Sequence, residues 1–107
     1  MSLQYESRLS APGEVQISEA DGVRFLHLGG GAVQSAMRLD ATLQLELEYT
    51  RAMMGFLLFH QHPRDLCLIG LGGGSLAKFI RRHLTDSRLT ALEIQPEVVT
   101  AAREWFS

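Results

Sequence analysis

The sequence predicts an α/β protein in which a small antiparallel β-sheet precedes the first β-α-β-α elements of a doubly wound parallel sheet. The beginning of the chain alternates apolar and polar residues between turn signals, as half-buried strands do. A stretch with apolar residues at helical spacing follows, and a short aliphatic run then breaks into a glycine-rich turn. We therefore expect a small β domain over residues 1–40 and, over residues 41–107, a helix and the start of an α/β domain.

The predicted strands of the β domain are short and are separated by turn residues. Residues 14–18 and 23–28 alternate on either side of Asp21-Gly22, a dipeptide that favours a tight hairpin turn. A run of glycines at residues 29–31 precedes a third alternating segment at residues 33–37, and its simplest interpretation is a second hairpin turn. These segments predict an antiparallel sheet.

The rest of the chain alternates helices and strands. Apolar residues recur at helical spacing from about residue 42 to residue 59, and the pattern ends before Pro63, which predicts one long helix. Pro96 suits the first position of a final helix, because its φ is fixed and its missing N–H needs no partner there. Between them we predict a strand at residues 66–70, a helix at 75–84 and a strand at 88–93. Because a parallel sheet needs several strands covered on both faces, we expect the Rossmann-like part of this sequence to be truncated.

A glycine-rich loop between the first predicted parallel strand and its helix indicates a ligand site. Four of the five residues 70–74 are glycines, and Ser75 follows them. Without a Cβ, glycines let backbone N–H groups and the positive end of a helix approach the polar atoms of a ligand. The spacing of Gly70, Gly72 and Gly74 fits the G-x-G-x-G pattern of S-adenosyl enzymes better than a dinucleotide fingerprint, which needs glycine or alanine where Ser75 stands.

Glu93 strengthens this interpretation. It ends the second predicted parallel strand, about 20 residues after the glycine loop, where a carboxylate accepts the ribose hydroxyls in doubly wound sheets. Strand, glycine loop, helix, strand and acid in this order predict a Rossmann-like domain that binds a nucleoside-containing ligand. The alternative is that the glycines form only a tight turn and that Glu93 is solvated.

Composition and charge argue against several other classes of protein. With 46% hydrophobic and 21% charged residues, the chain has an ordinary globular composition. A net charge of −2 gives no electrostatic reason to expect a nucleic acid or a membrane as a partner. The longest apolar stretch is too short to span a bilayer, and no secretion signal opens the chain.

The single Cys67 lies in a predicted buried strand and is expected to behave as a small apolar core residue, which fits a cytoplasmic location. The four histidines have no carboxylate or cysteine at ligand spacing, so no metal is predicted. The basic run Arg81-Arg82-His83 suits the C-terminus of a helix.

Five short motifs lie along the chain in a specific order and spacing. They are Gly22-Val23-Arg24-Phe25-Leu26-His27-Leu28, Val33-Gln34, Leu47-Glu48-Tyr49-Thr50-Arg51-Ala52-Met53-Met54, the glycine loop and Leu92-Glu93-Ile94. Together they resemble the N-terminal half of the spermidine synthase (polyamine aminopropyltransferase) family, over about residues 14–107.

This resemblance implies a small β domain followed by a Rossmann-like domain that binds decarboxylated S-adenosylmethionine as co-substrate and a small amine as acceptor. It also implies a homodimer or a higher homo-oligomer. Tyr49 resembles the tyrosine that lines the family's amine pocket, and Thr50 follows it as a second substrate-binding position. The positions that resemble the family's nucleoside-binding residues are Gln34, Gly70, Gly72, Gly73, Gly74 and Glu93.

The chain departs from the family's motifs at four positions. Gly73 stands where the family has an aspartate that contacts the ammonium of the transferred group, so we expect Gly73→Asp to favour decarboxylated S-adenosylmethionine. Thr50 and Arg51 replace the polar and acidic residues after the tyrosine, and an Arg51 that faced the site would repel a cationic polyamine. Gln95 replaces the second acid after the strand.

The resemblance assigns no catalytic residue to this sequence, because the family's catalytic aspartate and diamine-binding loop lie beyond the region matched. We predict an aminopropyltransferase-like protein that binds decarboxylated S-adenosylmethionine or a related S-adenosyl nucleoside, and we do not expect residues 1–107 to hold the complete active site. One alternative is an S-adenosylmethionine-dependent methyltransferase. Another is a non-catalytic oligomerisation fragment of the same fold.

Overall fold

The fold is described from a computed structural model of the 107-residue chain. The structure describes residues 7–10, 15–29 and 32–107, with the backbone alone for residues 7–10. Of the glycine run predicted as a hairpin turn, Gly30 and Gly31 lie outside these described residues.

Two sheets follow one another along the chain, and the predicted fold class is confirmed. The first sheet is antiparallel, with strand order β1-β2-β3-β4, and the second is a parallel pair, β5-β6. The division at residues 40 and 41 stays a prediction. The elements are β1 (Ser7–Ser10), β2 (Val15–Ala20), β3 (Val23–Leu28), β4 (Val33–Arg38), α1 (Glu48–Met53), a 3₁₀ helix (Met54–Leu58), β5 (Asp65–Ile69), α2 (Ser75–His83), β6 (Arg88–Leu92) and α3 (Pro96–Trp105).

The hairpin between β2 and β3 forms where the sequence predicts it. Ala20 pairs with Val23, which leaves a two-residue turn of Asp21 and Gly22 with φ of 52° and 77°. Two successive positive φ angles match the twist of an antiparallel pair, and glycine adopts them without steric cost. The same register places Ile17 opposite Leu26, both fully buried.

The long helix predicted over residues 42–59 is wrong at its beginning, because the observed helix starts at Glu48. Residues before it fold back on the end of β4: the Arg38 guanidinium pairs with the Glu46 carboxylate at 2.8 Å, and the Gln44 N–H donates to the Ala41 carbonyl at 3.1 Å. Leu45 is buried, but it lies in this loop and not on a face of the helix. The apolar periodicity therefore counted a loop residue as part of the helix.

The main hydrophobic core lies between one face of the antiparallel sheet and α3. Its buried members are Val15, Ile17, Leu26, Met37, Val98, Ala101 and Phe106. At the rim of this core, Arg24 donates to the Trp105 carbonyl at 2.6 Å and pairs with Glu19. The core thus joins the β part of the chain to its last helix.

Lys78 of α2 joins three elements at the edge of this core. Its ammonium donates to the Phe106 carbonyl and lies 3.1 Å from the Met37 sulfur. Partial burial lowers the pKa of Lys78, because removing the ammonium from water disfavours its charged form. The contact fixes α2 against β4 and the end of α3.

The parallel pair β5-β6 is less covered than the sequence predicts. Cys67, expected in a buried strand, is exposed, and that prediction is wrong. Only alternate residues of β5 are partly covered, and Ile69 at its carboxyl end is exposed, because no described segment packs on the other face of the strand. Within the described part of the chain, no helix is long and apolar enough to cross a membrane.

Candidate functional site

The predicted site residues meet where the carboxyl ends of β5 and β6 face β4 and α1. A groove of about 310 Å³ lies there, and Ser35, Met53 and Leu76 contribute to its wall. Carboxyl ends of parallel strands are the usual ligand edge of a doubly wound sheet. The groove brings together six of the eight predicted residues: Gln34, Tyr49, Thr50, Gly70, Gly72 and Glu93.

The other two predicted residues lie in the same loop but do not line this groove. Gly73 is buried beneath it, and Gly74 lines a neighbouring cavity of about 450 Å³ between α2 and α3. Gly74 has φ of 82° and directly precedes α2, so the loop turns sharply into the helix N-terminus.

A larger groove, about 670 Å³, lies at the opposite ends of β5 and β6 and contains none of the predicted site residues. Its charged lining combines Arg64 and Arg88 with Asp65 and Asp86, and Arg88 lies 3.9 Å from Asp65. Charges of both signs therefore line this groove. We place the candidate site at the smaller groove, because there the glycine loop and Glu93 converge.

Glu93 connects the two loops that follow the parallel strands. Its carboxylate accepts the Leu71 N–H at 2.9 Å and the Gln95 N–H at 3.1 Å, one on each oxygen. Partial burial acts to raise the pKa of Glu93, but the hydrogen bonds from backbone N–H groups outweigh it, so that the pKa lies below its ordinary value. Glu93 is therefore ionised near neutral pH.

Gln34 and Tyr49 come together through a hydrogen bond between two elements. The Tyr49 hydroxyl donates to the Gln34 backbone carbonyl at 2.9 Å, which fixes α1 against β4 at the mouth of the groove. Tyr49 is 52% exposed and contributes to the groove wall. An aromatic side chain held in this way presents a rigid apolar surface to a ligand.

Thr50 and Arg51 make contacts within their own segment. The Thr50 hydroxyl donates to the Leu47 carbonyl at 2.5 Å, inside the first turn of α1. The Arg51 guanidinium donates to the backbone carbonyls of Leu45 at 2.8 Å and Glu46 at 3.2 Å. Arg51 does not line the groove, so the condition under which it would repel a cationic amine is not met.

Sequence reasoning missed Ser35, which contacts the glycine loop from the antiparallel sheet. Its Oγ accepts the Gly73 N–H at 2.8 Å, and both residues are buried. The available signal was the alternation of β4, which places Ser35 on the same face as buried Met37. A polar side chain on a core face needs a hydrogen-bond partner.

No metal site is evident in the part of the chain that the structure describes. There, no group of three or more His, Cys, Asp or Glu side chains lies close enough together to hold an ion.

Comparison with known proteins gives sequence matches to aminopropyltransferases. The chain is 50% identical over 93 residues to the polyamine aminopropyltransferase of Chromobacterium violaceum. It is 51% identical over 94 residues to that of Neisseria meningitidis serogroup A. In both comparisons the match covers 87% of this chain but only 36% of the relative's length. No family model matches the chain.

A solved structure and a shorter sequence match show two further similarities. The crystal structure of a probable spermidine synthase from Corynebacterium glutamicum superposes with a TM-score of 0.71 and 23% identity, over 94% of this chain and 39% of that one. A mouse eEF1A lysine and N-terminal methyltransferase is 43% identical over 49 residues, which are 46% of this chain and 7% of that protein. Over the part that it shares with the Chromobacterium violaceum and Neisseria meningitidis relatives, this chain is similar in sequence to polyamine aminopropyltransferases.

Proposed function

We propose that the chain supplies the nucleoside-binding part of a spermidine synthase-like aminopropyltransferase, with decarboxylated S-adenosylmethionine as co-substrate and a small amine as acceptor. The observation that carries this proposal is the position of the Glu93 carboxylate, held over the glycine loop in the same groove as Gln34 and Tyr49. The extent of the sequence match to two polyamine aminopropyltransferases supports the reaction class.

The hydrogen bonds of the loop favour a nucleoside over a phosphate-bearing dinucleotide. A pyrophosphate is usually bound by free N–H groups at the start of the helix. Here the Leu71 N–H donates to Glu93 and the Gly73 N–H donates to Ser35. The ionised Glu93 readily accepts hydroxyl donors such as those of a ribose.

The charge of the groove favours a cationic ligand. Among the described residues that line it, Glu93 is the only charged one. A sulfonium nucleoside and an amine are both cations, and a negative groove attracts them where an anionic ligand would be repelled. We assign no catalytic base, and Gln34, Tyr49, Thr50, Gly70, Gly72, Gly73, Gly74 and Glu93 are proposed as binding residues alone.

A second candidate is an S-adenosylmethionine-dependent methyltransferase. It is favoured by the 49-residue similarity to the mouse lysine methyltransferase and by Gly73, which supplies no carboxylate for an aminopropyl ammonium. Both candidates use the same sulfonium nucleoside core. They differ in whether the aminopropyl group or the methyl group is transferred from the sulfur to the acceptor. A cytoplasmic location and a homo-oligomeric state stay predictions.

Calorimetric titration of the chain tests the proposal with three ligands: 5′-methylthioadenosine, decarboxylated S-adenosylmethionine and S-adenosylmethionine. We expect 5′-methylthioadenosine to bind, and decarboxylated S-adenosylmethionine to bind more tightly than S-adenosylmethionine, because the carboxylate of S-adenosylmethionine adds a negative charge in a negatively charged groove. The reverse order would favour the methyltransferase. If the chain bound NADH but none of these three ligands, both candidate functions would be contradicted.

A further inference from the structure

We propose that Ser35 is a positioning residue, whose hydroxyl holds the glycine loop against the antiparallel sheet in the conformation that binds the nucleoside. The contact itself follows from the geometry of the chain. Its consequence for ligand binding rests on the proposed function.

The hydrogen bond between Ser35 and the loop is buried and is non-local. Ser35 is 5% exposed, and its Oγ accepts the Gly73 N–H at 2.8 Å. Because an unpaired backbone N–H at a buried position is costly, the loop keeps this conformation only while an acceptor is present there. Ser35 also contributes to the groove wall, so the acceptor lies next to the expected ligand.

Close packing reinforces the hydrogen bond. A Cβ at Gly72 would lie 2.6 Å from the Ser35 Oγ, and a Cβ at Gly73 would lie 3.0 Å from both the Ser35 Cβ and the Phe106 ring. Atoms this close require a shift of the neighbouring side chain or of the loop. The loop backbone therefore lies directly on Ser35, and a Cβ at either position would disturb this contact.

Two independent acceptors thus fix successive parts of one loop. Glu93 accepts the Leu71 N–H from the β6 side, and Ser35 accepts the Gly73 N–H from the β4 side. The Gly74 N–H closes the turn by donating to the Leu71 carbonyl at 3.0 Å. A loop fixed from both sides loses little further conformational freedom when it binds a ligand, which favours affinity.

Ser35→Ala tests the proposal, with Ser18→Ala as a matched control. Ser18 is a buried serine of the same sheet, and its Oγ lies 2.9 Å from the His27 Nε2, remote from the loop. Both substitutions remove a buried hydroxyl. We expect Ser35→Ala to speed hydrogen exchange of the Gly73 amide and to weaken 5′-methylthioadenosine binding by about five- to tenfold, the effect of one hydrogen bond. Ser18→Ala should lower the melting temperature and leave the Gly73 amide exchange and the 5′-methylthioadenosine affinity unchanged.

A second variant approaches the same contact from the loop. Gly73→Ala places a Cβ against Ser35 and should also weaken binding, whereas Gly55→Ala, whose Cβ would meet nothing within 4 Å, should not. Unchanged Gly73 exchange in Ser35→Ala, or equal losses of affinity in Ser35→Ala and Ser18→Ala, would overturn the proposal. If the unsubstituted chain does not bind 5′-methylthioadenosine, the proposed function fails, and Gly73 exchange still decides whether Ser35 holds the loop.

Discussion

The Glu93 carboxylate accepts the backbone N–H of Leu71 at 2.9 Å, which joins the end of β6 to the glycine loop that follows β5. The same carboxylate accepts the Gln95 N–H through its other oxygen. The residue proposed to bind the ribose is therefore also a structural link between two loops. A carboxylate oxygen can accept more than one donor, so the link and a ligand contact are compatible.

Glu93→Ala is expected to weaken 5′-methylthioadenosine binding by about 1.5–3 kcal/mol, the usual loss for hydrogen bonds to a charged group. Titration calorimetry measures the change. Glu97→Ala is the matched control, since Glu97 is an acid in the first turn of α3 and does not line the groove. Equal affinities of the Glu93→Ala variant and the unsubstituted chain would contradict the role given to Glu93.

The depressed pKa of Glu93 predicts a pH dependence of stability. A carboxylate whose pKa is lower in the folded than in the unfolded chain stabilises the fold above its ordinary value, here 4.5, and this contribution is lost as the pH falls through the folded value. Glu93→Gln removes the contribution. We therefore expect urea unfolding to show a gap between the chain and this variant near neutral pH that shrinks in acid. A gap that stays constant with pH would contradict the assignment.

Gly73→Asp is now expected to weaken binding of decarboxylated S-adenosylmethionine and 5′-methylthioadenosine alike. Sequence comparison alone suggested that the new carboxylate would favour the ligand with the ammonium. In the structure, however, even a Cβ at this position lies 3.0 Å from the Phe106 ring and from Ser35. Selective improvement for decarboxylated S-adenosylmethionine would show that the loop moves to admit the carboxylate.

Phe106→Ala tests the core between the antiparallel sheet and α3. Phe106 is fully buried, and removing a buried phenyl ring costs about 3–5 kcal/mol through lost transfer energy and the cavity left behind. Phe59→Ala is the control, because Phe59 is 92% exposed and its loss should change stability little. The free energies of unfolding in urea give the comparison. Similar values for the two variants would mean that α3 does not hold the core.

Local patterns in the sequence predicted the glycine loop and Glu93. They could not predict contacts between residues that are distant in sequence. Gly70, Gly72 and Glu93 follow from spacing, because strand, turn and helix signals lie next to one another. The Ser35–Gly73 contact joins β4 of the antiparallel sheet to the glycine loop after β5, and no local pattern encodes it. The helix start was misplaced because the Arg38–Glu46 ion pair holds the preceding loop, and Cys67 is exposed because one face of β5 is uncovered in the described chain.

The chain is expected to self-associate through the end of its parallel sheet. Ile69 is the last residue of β5 and Ile94 lies two residues after β6, and the two are 90% and 92% exposed. They belong with Leu92 to an apolar groove, and both outer edges of β5-β6 lack a partner strand among the described residues. Exposed apolar side chains beside an unpaired strand edge favour association with another copy. We expect sedimentation at micromolar concentration to show a homodimer or a larger species, and Ile94→Lys to shift it towards monomer, with Gln44→Lys as an exposed control. A compact monomer that binds no apolar dye would argue against this surface as an interface, and in a dimer the stability should rise with protomer concentration.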